Sequence, residues 1–116
     1  MASVNNFTDV DCYLPVTIAS GATASDTLDI VGLSVCGFVL PATFTGTAVT
    51  FQTAISPTAT FQTLYDTTNT AIGATVTQGR NYSVNPANFA AWRYVKIVSG
   101  SAEGGARTIY LACRQI

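Results

Sequence analysis

FTGTAVTFQTAISPTATFQTLYD, residues Phe44–Asp66, is the stretch that decides the fold. Val49, Phe51 and Ile55 alternate with Thr50, Gln52 and Ala54, which is the period of a β-strand with one dry face and one wet face. Threonine suits that wet face. Its methyl covers a pleated surface while its hydroxyl meets water, so the face is solvated without charge. The alternation recurs at the end of the chain, where Ile109, Leu111 and Cys113 interleave with Thr108, Tyr110 and Arg114. Val95 and Ile97 interleave with Arg93, Lys96 and Ser99.

Turn signals separate such runs: Ser20-Gly21, Ser25-Asp26, Thr45-Gly46, Ser56-Pro57, Thr68-Asn69, Gln78-Gly79 and Ser99-Gly100. Spacings of about ten residues, with no long amphipathic helix, predict an all-β antiparallel sandwich, jelly-roll or Ig-like. Eight strands are expected near 12–18, 27–31, 33–40, 47–55, 60–65, 70–76, 81–84 and 92–99, with a closing strand near 107–114. Residues 12–116 form one domain in this reading, and residues 1–11 an extended arm that orders on a partner. Asn85-Pro86-Ala87-Asn88-Phe89 predicts one helical turn near 86–89, with Asn85 as cap and Phe89 dropped into the core. SGSAEGGA, residues 99–106, reads as a flexible loop.

LSVCGFVLP, from Leu33 to Pro41, is apolar at both alternating sets of positions. Simple alternation turns Val35 and Val39 one way and Cys36, Phe38 and Leu40 the other. Such a strand needs cover on both faces, from a loop or from another molecule.

Charged residues make up 9% of the 116, where about 25% is usual, and the net charge is -1. The five basic residues lie scattered between Arg80 and Arg114, so no basic face for nucleic acid is expected. A surface this poor in charge is either solvated by hydroxyls and amides or covered by other chains. The longest apolar run, Ile30 to Ala42, is broken by Gly32, Ser34, Gly37 and Pro41 and falls short of a membrane helix. MASVNNFTDVDC has neither a basic nor an apolar signal region, so synthesis in a cytoplasm is expected. Cys12, Cys36 and Cys113 lie in apolar runs and read as buried thiols.

Catalytic groups are scarce. The chain has no histidine, which removes the commonest general base. Its acids are Asp9, Asp11, Asp26, Asp29, Asp66 and Glu103, all placed in the arm, turns or loops. A glycosidase pair needs a deep cleft between two of them. Asp26 and Asp29 lack the oxygen-rich loop of a calcium site and read as turn caps. No enzyme activity, cofactor or metal is expected. Trp92, Tyr94, Tyr65 and Tyr82 are either a platform for a sugar or ordinary packing residues.

GLSVCGFVLPATFTGTAVTFQTAISPTATFQTLYD, NPANFAAWRYVKIVSGSA and ARTIYLACRQI resemble small virion proteins of tailed bacteriophages. The resemblance spans residues 32–116, and the short SGSAEGGA departs from the longer insertion of many relatives. It implies a β-sandwich subunit of the phage particle, made in the bacterial host cytoplasm and carried on the head as a decoration or cement protein. Its partners would be the major capsid protein and copies of itself, as a trimer or dimer. Phe7 in the arm, Phe38 and Leu40 in the apolar run, and Trp92 and Tyr94 are the expected contact residues. The competing readings are a carbohydrate-binding or host-attachment module and a tail or connector subunit.

Overall fold

A computed structural model describes residues 12–115. Among these residues nine strands follow one another: β1 Cys12–Ile18, β2 Leu28–Asp29, β3 Leu33–Val39, β4 Ala48–Ala54, β5 Gln62–Thr63, β6 Gly73–Thr75, β7 Asn81–Ser83, β8 Tyr94–Ser99 and β9 Arg107–Gln115. They form two antiparallel sheets, ordered β1-β9-β3-β7 and β2-β8-β4-β5, with β6 also pairing β4. The chain crosses between the sheets at almost every step, and β5 and β6 divide one strand position between them. This is the order of a jelly roll, which settles the choice left open with an Ig-like sandwich. Among the described residues no helix is long and apolar enough to cross a membrane.

The alternation seen in the sequence sets the core. Val49 and Phe51 of β4, Val95 and Ile97 of β8, and Ile109, Leu111 and Cys113 of β9 all turn inward. Phe51 sits between two rings, with Phe38 edge-on at 5.8 Å and Phe89 at 5.0 Å. Pro86–Asn88 forms the expected helical turn. The Asn85 side chain accepts from Ala87 N at 3.0 Å, and the buried Ser34 hydroxyl donates to the Pro86 carbonyl. These bonds deliver Phe89, fully buried, into the core.

Three expectations fail for local reasons. In β3 the register against β9 shifts between Val35 and Gly37, so Cys36 is an extra, bulged residue. A bulge moves every following side chain by one phase. Val35 and Phe38 therefore both face inward, and Leu40 follows them, all buried. In β4 the inward phase ends with Thr53 and Ala54, and Ile55 beyond the strand end is 86% exposed. In β8 Ser99 is buried on the inward phase, not outward with Lys96.

The loop after β8 is anchored. Glu103 is 1% exposed, and its carboxylate accepts from Thr45 N at 2.9 Å, Gly46 N at 3.0 Å, Ser99 Oγ at 2.8 Å and Arg107 Nε at 3.0 Å. Its backbone is bonded on both sides, to Gly21 and Ala22. A Cβ on Gly46 would stand 2.1 Å from Ser99 Oγ, so this cradle requires glycine there. Burial pushes the Glu103 carboxyl up, but the bonds from Thr45, Ser99 and Arg107 outweigh it and hold the group below its ordinary value of 4.5.

Candidate functional site

The outer face of the β1-β9-β3 sheet is built from the residues that alternate with the core. Tyr13 opposes Ala112, and Pro15 opposes Tyr110. On the other side of β9, Gly37 opposes Ala112 and Val39 opposes Tyr110. Two rows thus cross three strands, Tyr13-Ala112-Gly37 and Pro15-Tyr110-Val39, and neither contains a charge. Tyr13 is 56% and Tyr110 44% exposed. Arg114 lies on the same phase of β9, beyond these rows.

The margin of this face is blunted. Thr17 N donates to Asp26 Oδ1 at 2.8 Å, and the Thr17 carbonyl accepts from Asp26 N at 3.1 Å. The odd residues of β1 therefore turn their backbone groups away from β9. Pro15 stands in that phase, where it removes one donor from the open edge. The opposite edge strand, β7, is three residues long. Short or proline-bearing edges discourage strand addition, so the tyrosine face rather than the margin is the surface offered.

A second feature opens beside the end of β4. Thr53, Ile55, Gln62, Thr63, Tyr65 and Trp92 are among the residues that line a cleft of about 460 Å³. No charged residue lines it. Trp92 is half-buried against the core, and Tyr65 is exposed.

The expected contact residues scatter. Phe7 and the rest of the arm lie outside the described residues. Phe38 and Leu40 are interior: Phe38 is 1% exposed, stacked on Tyr82 at 5.4 Å. The cover that their apolar run requires comes from within the chain, through the bulge, and they present nothing to a partner. Tyr94 is half-buried, with the Arg93 guanidinium 5.2 Å from its ring. Trp92 and Tyr65 share the cleft, but Tyr82 belongs to the other sheet, its hydroxyl accepting from Thr77 N at 2.8 Å. The four aromatic residues therefore form no common platform. Outward placement of Tyr110 is legible in the alternation of β9. Its meeting with Tyr13 depends on register, which no local signal carries.

The described carboxylates are taken up by structure. Asp26 bonds Thr17 N. Asp29 receives both Arg93 Nε and Nη2 at 2.9 Å, and this side-chain bonding holds its carboxyl below the usual range. Asp66 closes a turn through the Thr68 hydroxyl and the Thr68 and Thr70 amides, and is lowered by them. Glu103 is enclosed as described. No protein-family model matches the chain, and no curated protein matches it.

Proposed function

We propose that this chain is a non-enzymatic structural subunit of a tailed-phage particle. It lies on the head as a decoration or cement protein, bridging neighbouring capsomers of the major capsid protein and meeting copies of itself. The observation that carries this reading is the tyrosine-bearing sheet face, with two rows free of charge and a blunted edge beside them. Tyrosine is enriched and charge depleted at the centres of stable interfaces. A face of about 800 Å² per partner suffices for one such contact, and symmetric repetition multiplies its effect. Contacts without charge hold at high ionic strength, where charged ones are screened. Jelly rolls serve as viral shell domains and as lectins alike, so the architecture is compatible with this role without choosing it.

The test is the composition of purified particles. Heads and tails separated from a phage carrying this sequence are quantified by mass spectrometry. The reading expects the chain on heads, in copies that follow the capsomer lattice. Its absence from heads, or confinement to tails or connectors in ring stoichiometry, would sink it.

A further inference from the structure

We propose that the cleft beside the end of β4 binds the ring of a neutral saccharide. Its volume of about 460 Å³ lies within the range of small-molecule sites. Thr53 lines it at 6% exposure, and among the described residues no protein group bonds its hydroxyl. A buried hydroxyl without a partner is costly, and one on a residue that lines a cleft is open to a partner that enters. The indole N–H of Trp92 likewise has no protein acceptor among the described residues. Gln62 and Thr63 add an amide and a hydroxyl, groups that both donate and accept. Tyr65 and Trp92 add aromatic rings, on which the C–H face of a sugar can lie.

The same inventory excludes other occupants. Phosphates, uronic acids and cations would lose hydration to a lining that offers no opposite charge. A wholly apolar side chain would leave the Thr53 hydroxyl unsatisfied. A neutral sugar matches both the rings and the unbonded polar groups. None of these residues belongs to the tyrosine face of the other sheet, so either proposal stands if the other falls.

Trp92 is the only tryptophan of the chain, so its fluorescence reports on the cleft alone. The full chain is titrated with glucose, galactose, mannose, N-acetylglucosamine and their neutral oligosaccharides to ~100 mM, a range that reveals millimolar binding. A saturable change with at least one of them is expected. Thr53→Val and Tyr65→Ala, each checked by thermal melting, should weaken it about tenfold or more, the effect of one lost buried hydrogen bond or one lost ring contact. Tyr110→Asp should leave it unchanged. No saturable response to any sugar would overturn the proposal, as would full affinity in both cleft variants. An equal response to cyclohexanol would also overturn it, assigning the cleft to an apolar side chain of a protein partner.

Discussion

Tyr13 and Tyr110 are diagonal neighbours across β1 and β9, because Tyr13 opposes Ala112 and Tyr110 opposes Pro15. Diagonal positions bring side chains about 7–8 Å apart, within reach for rings of this size. The pair spans the two charge-free rows of that sheet face. Tyr13→Asp combined with Tyr110→Asp should therefore remove the chain from particles while the fold survives. Loss of one aromatic anchor costs about 2 kcal/mol or more, over ~tenfold in affinity. Occupancy on heads by quantitative mass spectrometry, beside a melting curve close to that of the parent, checks this. Full occupancy would exclude the face.

Glu103→Gln tests the buried carboxylate. The substitution keeps shape but turns an amide NH₂ toward the backbone amide of either Thr45 or Gly46, donor against donor, and leaves Arg107 without its counter-charge. Breaking a fully buried pair costs about 3–5 kcal/mol; Arg107 is partly exposed, so about 2–3 kcal/mol is expected. Urea unfolding at neutral pH measures it. Proteolysis within residues 99–106 should quicken in the variant.

The same group contributes to acid sensitivity. Glu103, Asp29 and Asp66 all titrate below their ordinary values in the folded chain. The folded state then binds fewer protons than the unfolded one, so stability rises with pH across that window. The contribution is complete above the ordinary carboxylate range and disappears as pH falls through the lowered values. Urea midpoints should be level near neutrality and decline on acidification. In Glu103→Gln the plateau should be lower and the acid decline shallower; an unchanged slope would contradict the assignment.

Phe51 contacts rings from both sheet and helical turn, so Phe51→Ala should cost about 3–5 kcal/mol, the range for a deleted buried aromatic ring. Calorimetry gives the number. A cost near 1 kcal/mol would mean that Phe38 and Phe89 close the space.

Cys36 is supernumerary in β3, and its removal leaves Val35 inward, Gly37 in register with Ala112 and Phe38 inward, an unbroken alternation. Deleting Cys36 should thus preserve cooperative unfolding. Deleting Gln52 from the bulge-free β4 should not, because it reverses the phase of one side of the strand. Loss of folding in both deletions would show that the bulge shapes β3 beyond its register.

Most of the architecture was legible because strand alternation is a local property. Val49 and Phe51, Val95 and Ile97, and Ile109 and Leu111 announce their inward faces through their immediate neighbours. Asn85-Pro86 announces a helical turn in the same way. Cys36 was opaque because a bulge is defined against the partner strand, and the apolar run around it hid the change of phase. Glu103 was opaque because its partners Thr45 and Gly46 lie 58 and 57 residues away, and the glycines around it imitate a slack loop. The cleft joins Thr53 and Tyr65 to a tryptophan from the segment that precedes β8. Only Trp92 and Tyr65 were visible beforehand as rings in search of a setting.

Pro15 has a bearing on how copies of the chain meet one another. A copy approaching sideways finds the ladder interrupted, with Thr17 and Asp26 already engaged beyond it. Growth into ribbons is thereby discouraged even where newly made chains crowd together. Side-by-side joining through β1 is thus closed off by the chain's own backbone.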